Sequence, residues 1–352
     1  MFGSIPSLDI LEECIANPNT PIGMRMRAAY YLKHIHSTLE NGRDDDKEHV
    51  VSILQMGLLD TKHGSLLRHE FAYVMGQMKD ERSCIVLEEV LSNDDDCVMV
   101  RHECAEALGA IGFERSIVPL RKVLQRHANC LELAETCQLA LDVIEWRNNG
   151  EDGEQPAACA CMLNPYSSID PAPPHPSHQN KSADELGSIL GNNDLPIFER
   201  YRAMFSLRNK GGRDCVLQLC SCLVHDTTSA LLRHEVAYVL GQMQHSASVD
   251  ALEQSLRREN EHEMVRHESA EALGAIEGRW DDCEKILQEF TSDTNIVVRE
   301  SCLVALDAAD YWGNNTITEE ENEEETISSF SQQKNASEPP NRILVNHFNV
   351  KQ

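Results

Sequence analysis

Apolar residues recur along most of the chain with the period of an amphipathic helix. In residues 66 to 78, Leu67, Phe71, Val74 and Met78 follow one another in steps of four, three and four, which matches the 3.6-residue turn of an α-helix. A similar apolar stripe recurs in residues 104 to 111, again with polar residues on the opposite side. The pattern predicts a series of helices whose polar faces form the concave wall of a solenoid.

The chain contains an internal duplication. Residues 66–78, LLRHEFAYVMGQM, match residues 231–243, LLRHEVAYVLGQM, with two differences, and residues 100–112 match residues 265–277 with two more. Weaker copies flank both pairs of segments. An interval of about 33 residues is typical of one helix-turn-helix unit. The sequence therefore predicts an all-α fold, an α-solenoid of eight helical hairpins in two pseudo-symmetric arms of four repeats.

Four His-Glu pairs occupy matching positions in these copies. They are His69 and Glu70, His102 and Glu103, His234 and Glu235, and His267 and Glu268. The interval between pairs is the same in both arms, since 102 − 69 and 267 − 234 are equal, and both pairs of the first arm recur in the second at one common offset. Because corresponding positions of stacked repeats line one surface, we expect all eight side chains to converge.

The chemistry of these pairs favours a metal centre. Structural zinc is typically bound by closed sets of Cys and His, whereas mixed imidazole and carboxylate donors suit iron or manganese. Helical proteins hold dinuclear iron with Glu and His from several helices. Neighbouring helix positions are turned by roughly 100°, so one member of a pair can bind metal while the other contacts substrate. A carboxylate left free of metal can accept hydrogen bonds from a substrate ammonium group.

The four motifs, placed in duplicated HEAT-like repeats, resemble those of the deoxyhypusine hydroxylase family. The resemblance covers about residues 7 to 147 and 186 to 312, and all eight motif residues match. It implies two iron ions held between the arms, in a ferrous resting or a peroxo di-iron form, with dioxygen as co-substrate. It further implies that the enzyme hydroxylates the deoxyhypusine side chain of a translation factor precursor protein, which completes hypusine.

The same resemblance implies separate roles for the eight residues. The iron ligands would be His69, His102, His234 and His267, joined by Glu103 and Glu268. Glu70 and Glu235 would act in catalysis close to the metals by binding the substrate amines, and a direct role of these two as metal ligands stays open. Met99 and Met264, each three residues before a histidine, are either apolar lids over the centre or ordinary core residues.

Composition divides the chain into four regions. Residues 1–147 and 186–313 are predicted to be the two repeat arms. Residues 148–185 are rich in Pro, Gly, Ser and Asn and are predicted to be a flexible linker. Residues 314–352 carry a run of Glu and polar residues typical of a disordered acidic tail.

Net charge and composition indicate which kinds of partner and which cellular compartment to expect. The formal net charge of −27 disfavours nucleic acid and favours a cationic substrate or partner. The sequence has no apolar run long enough to cross a bilayer and no secretory signal, so we expect a cytoplasmic protein, which we take to be a monomer. The 13 cysteines, many of them within helical patterns, are expected to be reduced and mostly buried.

Two other functions are compatible with the residues alone. A solenoid with a charged concave face can serve as a protein-binding scaffold without catalysis, with its His-Glu pairs multiplied by duplication. A dinuclear metal site can also generate hydroxide and act as a hydrolase. Visible absorption separates these alternatives from a di-iron oxygenase, because zinc and a metal-free scaffold are colourless.

Overall fold

The first arm is a stack of antiparallel helices. We describe a computed structural model of the chain, in which residues 5–39, 43–148, 164–166, 168–276 and 278–310 are described. The helices of this arm are α1 (Leu8–Ala16), α2 (Ile22–Thr38), α3 (Asp44–Leu59), α4 (Gly64–Met78), α5 (Cys84–Ser92), α6 (Val98–Ile111), α7 (Ile117–Arg126) and α8 (Leu131–Asn148).

The second arm repeats this arrangement. Its helices are α9 (Ala183–Leu190), α10 (Ile197–Lys210), α11 (Arg213–His225), α12 (Ala230–Met243), α13 (Val249–Arg257), α14 (Glu263–Gly274), α15 (Trp280–Phe290) and α16 (helical residues 296–310). The described ranges contain no β-strand, so the predicted all-α solenoid class is confirmed. The number of eight hairpins stays a prediction.

Even-numbered helices form an inner layer and odd-numbered helices an outer layer. Within the inner layer α4 packs on α6, α6 on α8, and α12 on α14. Glycines allow the inner helices to approach closely. A Cβ atom placed on Gly76 would lie 2.8 Å from the Cα of Ala107, and one on Gly109 equally close to the Cα of Ala140. This close approach keeps successive His-Glu pairs next to each other.

Arginines that precede the histidines join the two layers. The Nε of Arg68 donates to the carbonyl oxygen of Leu58 at 2.6 Å, and the Nε of Arg101 donates to that of Leu91 at 3.0 Å. Each acceptor lies at the end of an outer helix, where carbonyls lack partners within the helix. Arg68 also forms a bidentate ion pair with Asp96, with both distances 2.6 Å. These arginines therefore fix the inner helices, which carry the polar face, against the outer helices.

The two arms meet along their inner layers. The hydroxyls of Tyr73 and Tyr238, at equivalent positions of the two arms, lie 3.1 Å from each other. Ser229 donates to Glu135 of α8 at 2.6 Å, and Arg27 of α2 forms an ion pair with Asp307 of α16. The polar faces of the inner helices are consequently buried between the arms.

Part of the segment between the arms also packs on the inner layer. The side chain of Gln77 donates to the carbonyl of Ile169 at 3.2 Å and accepts from its amide at 2.9 Å. Arg208 binds Asp170 through both terminal nitrogens, and Ala172 is fully buried. The domain boundaries predicted at 147, 185 and 313 stay predictions, and the acidic tail lies outside the described residues.

Most cysteines of the described ranges are buried, as their place in helical patterns predicts. The eleven cysteines in the described ranges are free thiols, and eight of them are buried. Cys159 and Cys161 lie outside those ranges. Among the described helices, none has the length and apolar character needed to span a bilayer.

Candidate metal centre and cavity

Four inner helices bring the four predicted histidines into one cluster. The ring centroids of His69 and His102, on α4 and α6, are 5.3 Å apart, and those of His234 and His267, on α12 and α14, are 5.4 Å apart. Across the arms the distance from His69 to His267 is 5.5 Å, and that from His102 to His234 is 5.6 Å. The near equality within each pair of distances is what a pseudo-twofold axis through the cluster requires.

The four histidines are buried, and a buried polar side chain needs a hydrogen-bond or metal partner. All eight predicted site residues are at most 5% exposed. Within the described part of the chain, neither ring nitrogen of His69, His102 or His234 makes a hydrogen bond. Leaving such groups buried without a partner costs free energy. A cation that accepts the nitrogen lone pairs would remove this cost.

Carboxylates approach the rings without forming hydrogen bonds to them. Glu103 Oε2 lies 3.0 Å from His69 Nε2, and Glu268 Oε2 lies 3.6 Å from His234 Nε2, yet neither pair forms a hydrogen bond. One group of donor atoms, all within 4.8 Å of one another, comes from His69, His102 and Glu103. A second such group joins His69, His234 and His267. Donors that face each other in this way can share a cation.

Burial controls the protonation of these donors in the absence of a cation. It lowers the pKa of His69 and of His234 to about 4, so their imidazoles are neutral at neutral pH and can bind a metal. It also raises the pKa of Glu103 and of Glu268 to about 8. A bound cation would restore the carboxylate form, because its positive charge favours the ionised acid. The donor set thus fits one or more divalent cations.

Four further carboxylates surround the donors, and only two of them belong to the His-Glu pairs predicted to form the site. Glu70 and Glu235 are predicted to face the substrate, whereas Glu106 and Glu271 follow the ligand glutamates by three positions. That spacing places them on the same helix face as the motif. Glu106 belongs to the polar side of its helix pattern, and its spacing from Glu103 is the sequence signal that could have added it to the site.

A cavity opens on one side of the cluster. Its walls include His69, His234, Glu103, Glu106, Glu235 and Glu268. Tyr73 and Tyr238 and the inter-arm residues Ile169, Asp170 and Pro171 complete the lining, together with Gln77. Glu70 and Glu271 do not contribute to it. The cavity therefore gives access to the donors from one side, past the inter-arm segment.

Met99 and Met264 belong to the apolar core. They are 2% and 0% exposed and pack within the continuous buried cluster of both arms. Neither lines the cavity. Their position supports the core interpretation over that of lids.

The chain is similar to known repeat proteins and enzymes. The HEAT repeats family matches residues 183–274 and 216–307, and the PBS lyase HEAT-like repeat matches residues 100–126. Deoxyhypusine hydroxylase of Xenopus laevis is 44% identical over 301 residues, which cover 86% of this chain and 90% of that protein. The enzyme of Danio rerio is 49% identical over 247 residues, which are 70% of this chain and 77% of that protein.

The solved structures agree with this relationship. The structure of human deoxyhypusine hydroxylase in complex with glycerol matches with a TM-score of 0.75 and 40% identity, covering 86% of this chain and 96% of that one. Deoxyhypusine hydroxylase of Candida albicans is 42% identical over 315 residues, which span 88% of this chain and 95% of that protein. On this evidence the chain belongs to the deoxyhypusine hydroxylase family.

Proposed function

We propose that the protein hydroxylates the deoxyhypusine side chain of a translation factor precursor protein with dioxygen, and so forms hypusine. Family membership supports the reaction. The observation that carries the proposal is the cluster of four buried histidines from both arms, three of which make no hydrogen bond at either ring nitrogen among the described residues. Neither the non-catalytic scaffold nor the metal hydrolase is favoured, because the relatives are named as hydroxylases.

We assign two iron ions to the donors as the cofactor. Their ligands would be His69, His102, His234, His267, Glu103 and Glu268. Iron would supply the dioxygen chemistry that protein side chains lack. One of the two groups of nearby donor atoms takes its histidines from both arms, so neither arm alone completes the set.

The remaining chemistry falls to the chain itself. Inserting one oxygen atom into a C–H bond reduces the other atom of dioxygen to water, and this consumes two electrons and two protons from an external reductant. The buried walls of the cavity limit contact between the donors and bulk water, and Tyr73 and Tyr238 line it between the arms. Carboxylates on its wall attract the cationic side chain of the substrate, and the net charge of −27 favours encounter with a basic protein. The cytoplasmic location and the monomeric state stay predictions.

The assay for this function uses the iron-loaded protein and a precursor protein that carries deoxyhypusine. We expect hypusine to form only when dioxygen and a reductant are present, with one oxygen atom of labelled dioxygen in the product. Product that forms equally without dioxygen, or that carries oxygen from water, would contradict the proposal. The second result would indicate hydroxylation with oxygen from water, which needs an external two-electron acceptor in place of dioxygen.

A further inference from the structure

The cavity has a rim that is formed by the chain between the two arms. We call residues 168–173 the rim segment, and three of them, Ile169, Asp170 and Pro171, line the cavity. Pro171 and Ala172 are buried, so the segment packs as part of the fold. Its position raises the question of what it contributes to the site.

Three successive turns of two inner helices lead from the histidines to the rim segment. Each helix carries a His, a Tyr and a Gln at intervals of four residues, and the two sets are His69, Tyr73 and Gln77 on α4 and His234, Tyr238 and Gln242 on α12. Residues four apart lie on one face of a helix. All of these except Gln242 line the cavity. The cavity therefore runs along the helices, from the histidines at its floor, past the tyrosine pair, to the rim segment.

The two glutamines hold the rim segment from both arms. Gln77 accepts a hydrogen bond from the amide of Ile169 at 2.9 Å and donates one to its carbonyl at 3.2 Å. Gln242 donates to the hydroxyl of Ser168 at 3.2 Å and to that of Tyr238 at 2.9 Å. Because one glutamine belongs to each arm, the segment is fixed where the arms meet.

Two arginines of α10 anchor the rim segment on the second arm. The guanidinium of Arg208 binds Asp170 through both terminal nitrogens and lies 4.6 Å from the centroid of the Phe205 ring. The Nε of Arg202 donates to the carbonyl of Pro173 at 3.0 Å. Planar guanidinium groups favour such bidentate and stacked contacts, so both ends of the segment have a defined place.

The first arm has different residues at the positions of this anchor. In the alignment of the two arms Lys33 takes the place of Arg208, and Tyr30 takes that of Phe205. An ammonium group cannot form the planar bidentate pair that a guanidinium forms with a carboxylate. The hydroxyl of Tyr30 donates to Glu70, which does not line the cavity. The rim segment therefore belongs to one side of the pseudo-symmetric site, and the equivalent side is closed by side chains of its own helices.

The depth of the cavity matches the length of a long amine side chain. The step from His69 to Gln77, 77 − 69 residues, corresponds to roughly 12 Å along a helix. An extended deoxyhypusine side chain, which is a lysine lengthened by an aminobutyl group, also spans roughly 12 Å from its Cα atom to its terminal nitrogen. A precursor protein whose backbone rests on the rim segment therefore places the end of this side chain beside the histidines.

We propose that the rim segment, with Ile169 at its centre, determines which length of substrate side chain the site accepts. It stops the backbone of the precursor protein at a fixed distance from the floor of the cavity, so a longer side chain must buckle and a shorter one leaves space unfilled. Ile169 supplies the contact surface, and Gln77 and Arg208 are positioning residues that act through the segment. This inference rests on the proposed function and deepens it.

The test compares the unaltered protein with Ile169→Ala, Gln77→Leu and Gln55→Leu. Gln55→Leu is the matched control, because Gln55 of the outer helix α3 likewise donates to a backbone carbonyl, that of Arg82, at 2.8 Å. The three probes are precursor proteins whose lysine carries an aminopropyl, an aminobutyl or an aminopentyl group. Each iron-loaded protein is titrated with each probe without oxygen and without reductant, so that binding is measured and no turnover occurs. Iron content and thermal melting are recorded as well.

We expect the unaltered protein to bind the aminobutyl form at least about tenfold more tightly than either homologue, because one methylene group in a fitted cavity has an effect of roughly this size. Ile169→Ala and Gln77→Leu should reduce this preference to less than about threefold, since a smaller or looser rim no longer fixes the backbone of the precursor. Gln55→Leu should keep the preference. A merely structural role would lower the melting temperature and weaken binding of all three forms alike.

Three outcomes overturn the inference. They are equal binding of the three forms by the unaltered protein, a full preference kept in Ile169→Ala or in Gln77→Leu, and an equal loss of preference in Gln55→Leu. Each of them leaves the proposed function intact if the unaltered protein hydroxylates the aminobutyl form. Failure of the unaltered protein to hydroxylate that form would instead reject the proposed function.

Discussion

The two sides of the site have matching His and Glu side chains at the centre and differ in the residues that surround them. His69 and His234 occupy equivalent places, and the ring distances on the two sides nearly agree, at 5.3 against 5.4 Å and 5.5 against 5.6 Å. One layer further out, Tyr30 hydrogen-bonds Glu70, whereas Phe205 has no hydroxyl to offer Glu235. The cavity also borders Glu235 and not Glu70. The pseudo-symmetry of the central side chains therefore does not extend to the residues around them.

Substitution of one histidine on each side tests whether both sides of the site contribute to metal binding. We expect His69→Ala and His234→Ala each to abolish hydroxylation and to lower bound iron, because loss of one imidazole leaves a donor group incomplete. Iron stoichiometry and hypusine formation are the measurements. His49→Ala is the control, since His49 pairs with Glu12 and its side chain is 40% exposed. A variant of His69 or His234 with full iron and full activity would remove that residue from the ligand set.

The glutamates separate metal binding from substrate binding. Glu103→Ala and Glu268→Ala should lower the iron content and bleach visible absorption, because an oxygen donor and its charge leave the metal. Glu235→Ala should keep most of its iron and lose affinity for the deoxyhypusine-bearing protein. Metal analysis and equilibrium binding distinguish the two classes. Equal loss of iron in all three variants would show that these glutamates do not have separate roles in metal binding and substrate binding.

The ion pair between Arg208 and Asp170 is expected to hold the inter-arm segment against the cavity. Substitution of Arg208 tests how much this contact contributes to stability. Arg208 is fully buried and also donates to Gln242 at 2.8 Å. Arg208→Met leaves Asp170 without its cation, so we expect the free energy of unfolding to fall by about 3–5 kcal/mol. In the double variant with Asp170→Asn the loss should be smaller than the sum of the single losses. Denaturant unfolding measures these values, and strictly additive losses would argue against the pairing.

A smaller effect is expected from His178, which lies in the same segment. Burial lowers the pKa of His178 to about 4, and its Nδ1 lies 2.8 Å from the hydroxyl of Ser206. Between pH 6.5 and 4 the unfolded chain binds a proton that the folded protein does not, so stability should fall as the pH drops through this window. His178→Gln should flatten this dependence and leave stability above pH 7 nearly unchanged. Parallel stability profiles for the two proteins would place His178 in a solvent-like environment.

The repeats and the donors could be predicted from the sequence. Apolar periodicity and the internal duplication predicted the helices, and the four His-Glu pairs predicted the cluster because equivalent positions of a solenoid share one face. Glu106 and Glu271 could have been added, since each follows a motif glutamate by three positions.

Other features depend on contacts that no local pattern contains. Gln77 and Ile169 are far apart in the chain, so a Pro-rich segment typical of a linker gave no sign of its place at the cavity. The exchange of Tyr30 for Phe205 is conservative in a core helix. Its meaning becomes visible only when the fold brings Glu70 to the tyrosine hydroxyl.

The central claim, that donors from both arms form one iron centre, is tested most directly by metal analysis of the purified protein together with its visible spectrum. We predict about two iron ions per chain and a charge-transfer band after aerobic purification, both lost in His69→Ala and in His234→Ala. A colourless protein that holds only zinc, or no metal after incubation with ferrous iron, would contradict the account.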